Sequence, residues 1–170
     1  ALLTAGPGLT SATTEIANAH LIRMPVPVLS GAPPRPQENR GALQDMSHTA
    51  LVSSITRYAR TLRHPHAVTR ERDTAITAAL GHASEPGPSF IDFPVDVQRE
   101  AIPSALCSGA HIHGAAKPRT RPLEADLDHA AALIAQSKHP LVISGRGSEF
   151  GSGGLGRIPD VVRRGLSRYR

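Results

Sequence analysis

The chain has 170 residues, of which 39% are apolar and 3% aromatic, with no tryptophan, one cysteine and a net charge of +5. That length allows one domain or one domain and part of another, and a core limited to Ala, Val, Leu and Ile suits an α/β sheet better than an aromatic-rich β-sandwich. The charge is local: residues 157–170 hold five arginines and one acid, which leaves 14 basic and 13 acidic residues elsewhere, so no nucleic-acid function follows from it.

Leu2 and Leu3 read as the end of a buried strand. Gly6, Pro7 and Gly8 then form a tight turn, because glycine tolerates torsions that a side chain forbids and proline fixes its own φ. A helix continues through Ile16, Ala17, Ala19 and Leu21, with Thr10 or Ser11 as its cap and Glu15 in its early turns. A second apolar strand covers 26–31. Strand, turn, helix and strand make one βαβ unit, the building block of a parallel sheet. Ligands of such sheets bind beyond the carboxyl ends of the strands, where Gly6, Gly8, Ser30 and Gly31 fall.

Residues 32–47 are rich in proline and polar groups, and a loop of that length is functional or disordered. A short helix follows, with Ala50, Leu51 and Ile55 on one face, then a strand over 55–62. Pro65 opens a helix to about His82, with Val68, Ala75, Ile76, Ala79 and Leu80 as its inner stripe. Residues 85–88 end it and lead into a strand over 89–93, which Pro94 stops. Residues 99–122 lack periodicity and read as an interdomain linker. A new unit starts at Leu123, with a helix over 124–136 that turns Leu127, Ala130, Ala131 and Ile134 inward. A strand over 140–144 and a turn at Gly145 and Gly147 follow. Ile158, Val161, Val162 and Leu166 fit one short amphipathic helix in the arginine-rich tail. The fold expected is α/β, a parallel sheet with helices on both faces over 1–98. A linker and the start of a second α/β domain over 123–170 follow.

Each motif has a functional and a plainer reading. The Gly6–Gly8 turn can place a cofactor or anion against backbone groups, or it is an ordinary strand-to-helix turn. Gly145 and Gly147 resemble the start of a dinucleotide fingerprint, but Phe150 replaces the third glycine and no acidic partner lies about 20 residues on. A looser nucleotide-contacting turn fits better. His111 and His113 lack a third ligand nearby, so no metal site is expected there, and Cys107 reads as an inert thiol. Asp92 and Asp96 bracket a strand end, where capping is the simpler role. The arginine tail suits phosphates, RNA or acidic lipid, but with Tyr169 as its one aromatic it reads as a frayed or truncated end.

The order of the motifs carries a resemblance. Thr4 to Thr10 (Thr-Ala-Gly-Pro-Gly-Leu-Thr), Ile16 to Ala19, Pro25 to Gly31, Arg40 to Asp45 (Arg-Gly-Ala-Leu-Gln-Asp) and Glu85 to Asp96 together resemble thiamine-diphosphate-dependent enzymes of the acetolactate synthase type. The match covers about residues 1–98, as the second half of the family's pyrimidine-binding domain. It extends more weakly over 123–147, as the start of the central domain. The resemblance implies a thiazolium ylid that adds to a 2-oxo acid, releases carbon dioxide and joins the bound carbanion to a second carbonyl. It implies that Gly6, Pro7 and Gly8 lie beside the cofactor pocket at a dimer interface. It also implies that Gln44, in Ala42-Leu43-Gln44, reaches the active site as an amide able to stabilise a developing oxyanion. In flavin-containing members the glycine turn of the central domain contacts FAD, and Gly145 and Gly147 match it.

Three departures, Ser11 for Asn, Leu43 for Phe and Asp45 for Glu, suit a relative such as a 2-hydroxyacyl-CoA lyase or an oxo-acid decarboxylase as readily as the synthase. The family's activating glutamate lies before the Gly-Pro-Gly turn, and its Gly-Asp-Gly…Asn motif for magnesium and diphosphate belongs to a third domain. The chain alone is therefore expected to be a fragment that neither holds thiamine diphosphate tightly nor catalyses. It is expected to expose an apolar sheet edge, and to pair with itself or a longer homologous chain. A cytoplasmic setting in branched-chain amino-acid biosynthesis follows from the same resemblance, with no membrane or nucleic-acid partner.

Overall fold

Alternating burial along residues 27–30 and the almost wholly buried run at 89–94, in which Ser89 and Asp92 are the polar members, set the centre of a parallel sheet. The computed structural model describes residues 1–82, 84–102, 122–139 and 141. It divides into two units, residues 1–117 and 118–170.

In the first unit, β1 (Leu2–Leu3) leads through the glycine turn into α1 (Pro7–Leu21), and β2 (Pro27–Ala32) follows. After a 3-10 turn at Arg35–Gln37 come α2 (His48–Val52), β3 (Tyr58–Thr61), α3 (Val68–Leu80), β4 (Ser89–Pro94) and α4 (Val95–Arg99). The strands are all parallel, in the order β1-β2-β4-β3. Val28 pairs with Phe90, and Ser30 with Asp92, so Pro27–Ala32 and Ser89–Pro94 lie side by side in one parallel layer. The amino group of Ala1 ties β1 to β2 through the Pro27 carbonyl at 2.7 Å.

Each face of the sheet has its own core. Leu9 and Ile16 of α1, Val52 of α2, Val28 and Phe90 form one cluster. Leu62, Ala75, Ile91 and Val97 form the other, beneath α3 and α4. Helices thus cover both faces, as the apolar pattern requires.

Several boundaries differ from the sequence reading. Helix α1 starts at Pro7, not after Thr10 or Ser11: Gly6 is its N-cap, proline takes the first position, and the cap makes no side-chain hydrogen bond. Proline suits that position because its missing N–H would lack a partner there anyway. Thr10 instead donates its hydroxyl to the Pro7 carbonyl. Gly81, left-handed at φ +75°, caps α3 after Leu80, two residues before the expected end at about His82. Pro94 closes β4 by opening α4, a helix that the sequence reading leaves out.

In the second unit, α5 (Glu124–Gln136) has the predicted bounds. Its expected inward residues Leu127 and Ile134 are exposed within the described residues. The strand expected over 140–144, Gly145, Gly147, Cys107, His111, His113 and the arginine tail lie outside the described residues.

Candidate functional site

The face of the sheet that packs on α1 and α2 changes chemistry along its length. Its middle row is Val28, Phe90 and Ala59, all apolar, and the next row toward the carboxyl ends is Ser30, Asp92 and Thr61. Asp92 is buried there, and burial pushes its carboxyl above the ordinary carboxylate range, against the pull of the His48 hydrogen bond.

His48 is the partner that makes this burial tolerable. It is 1% exposed, at the first position of α2, one turn before the buried Val52. Its Nδ1 lies 2.9 Å and 3.1 Å from the two Asp92 oxygens. On the other side, the Gly6 N–H donates to His48 Nε2 at 2.9 Å. An Nε2 that accepts must lack a proton, so Nδ1 carries the proton and donates it toward Asp92. Every polar atom of the imidazole is therefore satisfied inside the protein.

The Gly6 turn meets the 33–47 loop directly. Gly6 is buried at φ +58°, and a Cβ there would stand 2.8 Å from Cβ of Gln44. Gln44 is itself left-handed, at φ +65°, and exposed. A non-glycine residue held in that region is strained, and such strain clusters where loops serve a site. Gln44, Gly6, Pro7 and Gly8 are thus brought to one rim of the sheet. The Gly6 N–H is engaged by His48, so it is not a donor for a bound anion.

A cavity of about 80 Å³ opens beside this rim, lined by Ala32, Thr61, His48, Asp92, Arg35 and Arg63 among others. Gln44 and the glycine turn do not line it. Its arginines are paired. Arg35 Nε donates to Asp96 Oδ2 at 2.7 Å and its backbone N–H to Oδ1 at 3.0 Å, while Nη2 reaches Glu100 at 3.2 Å. Arg63 donates to Glu38 at 2.8 Å. Burial works to raise the Asp96 carboxyl, but the bonds from Arg35 outweigh it and hold it below the ordinary carboxylate range. Asp96 therefore anchors the loop, and Asp92 binds an imidazole rather than capping the strand end.

His48 is the residue that sequence reasoning missed. Its signal was slight: a histidine with Val52 four residues on, between a polar loop and an apolar helix face.

Residues 1–51 match the thiamine pyrophosphate enzyme family, N-terminal TPP binding domain. The chain is 30% identical over 176 residues to 2-hydroxyacyl-CoA lyase 2 of Mus musculus, covering 85% of this chain and 28% of that protein. It is 32% identical over 145 residues to a probable acetolactate synthase of Mycobacterium bovis, covering 85% of this chain and 26% of that protein. Against 2-hydroxyacyl-CoA lyase 2 of Caenorhabditis elegans, identity is 37% over 97 residues, 57% of this chain and 15% of that protein. The chain thus spans between 15% and 28% of the length of these curated relatives. With a parallel sheet, a Gly-Pro-Gly turn at its rim and these relatives, the chain belongs to the thiamine-diphosphate-dependent enzyme family, acetolactate synthase-like.

Proposed function

We propose that residues 1–98 form one wall of a thiamine-diphosphate pocket, as the second half of a pyrimidine-binding domain, and that residues 123–170 begin a central domain. The seat of Gln44 against Gly6 at the carboxyl rim of the sheet carries this reading. The residues fit a cofactor at the carboxyl rim of the sheet, where the exposed Pro7 stands and where the exposed Gln44 is seated so closely on Gly6 that a Cβ has no room.

When bound, thiamine diphosphate supplies the electron sink on which a 2-oxo acid loses carbon dioxide or a carbon–carbon bond is made or broken. This chain's share is positional. Gly6, Pro7 and Gly8 shape the rim against which the cofactor would lie, with Gln44 seated on Gly6 and Thr4 on Gly8, and the Gln44 amide would donate to oxygen charge as it develops. In this reading the activating carboxylate and the magnesium ligands come from further sequence or a second, longer homologous chain, and flavin, where kept, would meet Gly145 and Gly147. The setting is cytoplasmic, and the substrate is a 2-oxo acid or its 2-hydroxyacyl relative.

The test is co-expression with a longer acetolactate synthase-like chain. Calorimetric titration with thiamine diphosphate and magnesium should show no micromolar binding by the chain alone and clear binding by the complex. Gln44→Ala in the complex should slow turnover of pyruvate about a hundredfold, the scale of losing one oxyanion donor. Micromolar binding by the chain alone would overturn the need for a partner.

A second reading, an interaction subunit without catalytic residues of its own, is favoured by one observation. Leu2, paired with Leu29 on the sheet, is 81% exposed and offers a surface for more polypeptide. A complex that forms normally and is indifferent to Gln44→Ala would support that reading over the first.

A further inference from the structure

We propose that His48 is a positioning residue, which fixes the glycine turn through the Gly6 amide and takes its own tautomer from Asp92. The inference rests on the reading of Gly6–Gly8 as a cofactor-facing turn only for its purpose; its geometry stands by itself.

A helix start leaves backbone N–H groups without intrahelical partners. In α1, Pro7 has no N–H, and the Gly8 N–H reaches only the Ala5 carbonyl at a long 3.4 Å. The Gly6 N–H is therefore the amide that can fasten the turn, and it is directed onto His48 Nε2. That bond fixes where the left-handed Gly6 sits and so where the side chain of Gln44 is seated beside it. An imidazole can accept at Nε2 only if its proton stays on Nδ1. Asp92, buried and on the opposite side of the ring, holds it there. A proton added at Nε2 would set two donors face to face and release the turn. Other charges line the cavity beside the ring, namely Arg35, Glu38, Asp45 and Arg63, and none of them contacts Gly6 among the described hydrogen bonds.

The test uses the full chain, alone or in whatever assembly it forms, and needs no cofactor. Histidine-selective ¹⁵N spectra of the wild type and His48→Gln identify the His48 signals by difference. The expected result is a protonated Nδ1 and a bare Nε2 near neutral pH. Single-residue hydrogen exchange read by mass spectrometry then follows the Gly6 amide, with the Phe90 amide of β4 as a reference for global opening. His48→Leu, which removes the acceptor, should speed Gly6 exchange about tenfold relative to Phe90. His48→Gln, whose amide can accept from Gly6 and donate to Asp92, should restore most of the protection. A protonated Nε2 in the wild type would overturn the proposal. So would unchanged Gly6 exchange in a folded His48→Leu chain, or failure of His48→Gln to protect Gly6 while Phe90 stays protected. Should His48→Leu not fold, the tautomer and the glutamine variant decide the matter. Failure of the complex to bind thiamine diphosphate would refute the functional reading and leave these outcomes untouched.

Discussion

Gly6 and Gln44 meet with both backbones left-handed, and changing one costs stability while changing the other relieves strain. Gly6→Ala would strain φ and drive a methyl to 2.8 Å from Gln44 Cβ. It should destabilise the chain by about 2 kcal/mol or more, read from urea melts, since the left-handed penalty alone is about 1–2 kcal/mol. Gln44→Gly should do the opposite, raising stability by up to about 1 kcal/mol because it relieves φ +65°. If the proposed role holds, the same change abolishes the amide's contribution to turnover, so stability and activity should move in opposite directions. A Gln44→Gly chain that melts earlier than wild type would show that the backbone there is not strained. At this scale the sequence made the glycine turn legible, because glycine and proline constrain the backbone directly. His48 was not legible, because its role depends on Asp92, which is 44 residues away in sequence.

Between elements, short polar links decide how loops and helices are held. Tyr58 of β3 donates its hydroxyl to Glu71 of α3. Burial, then that bond and the Glu71 charge, push the Tyr58 phenol up to about 12. A phenol whose pKa rises on folding favours its neutral form. Its contribution to stability is whole below the ordinary value near 10 and is lost as pH rises from there through about 12. In a Tyr169→Phe background, ultraviolet titration should find the Tyr58 phenolate appearing late, and Glu71→Ala should bring it earlier. A normal titration of Tyr58 would refute the link. The loop over 33–47 is anchored in a similar way, by Arg35 on Asp96. Asp96→Ala should speed tryptic cleavage after Arg40 severalfold, as local opening becomes easier; an unchanged cleavage rate would mean that other contacts hold the loop. Periodicity placed α3 and α5 along the chain, because a stripe of Ala, Leu and Ile is a local signal, but it did not settle what the stripe packs on: Ala75 and Ala79 are buried, whereas Leu80, Leu127 and Ile134 are exposed. It did not reveal α4, a single turn that packs Val97 into the second core and exists only through that tertiary contact.

Across the first unit, the two faces of the sheet are unequally covered. One face is closed by α1 and α2 over Leu9, Val28 and Phe90. On the other, α3 and α4 cover Ile91 and Leu62 but leave the β1–β2 side open, where Leu2 and Leu29 stand side by side at 81% and 38% exposure. Leu2 on the short edge strand β1, with Leu29 beside it on β2, offers a template for further chain. The isolated chain should therefore self-associate and bind a dye that reports apolar surface. Leu2→Ser with Leu29→Ser should shift sedimentation toward smaller species and reduce dye binding. Stability should fall by no more than about 0.5 kcal/mol, as for surface positions that touch little. The same double change should weaken pairing with a longer homologous chain if this face is where such a chain docks. A wild-type preparation that is sharply monomeric and melts cooperatively would show that the open face needs no cover. The prediction separates two properties that the sheet combines: its order, set by the buried rows at Val28 and Phe90, and its appetite for a partner, set by the row left exposed among the described residues.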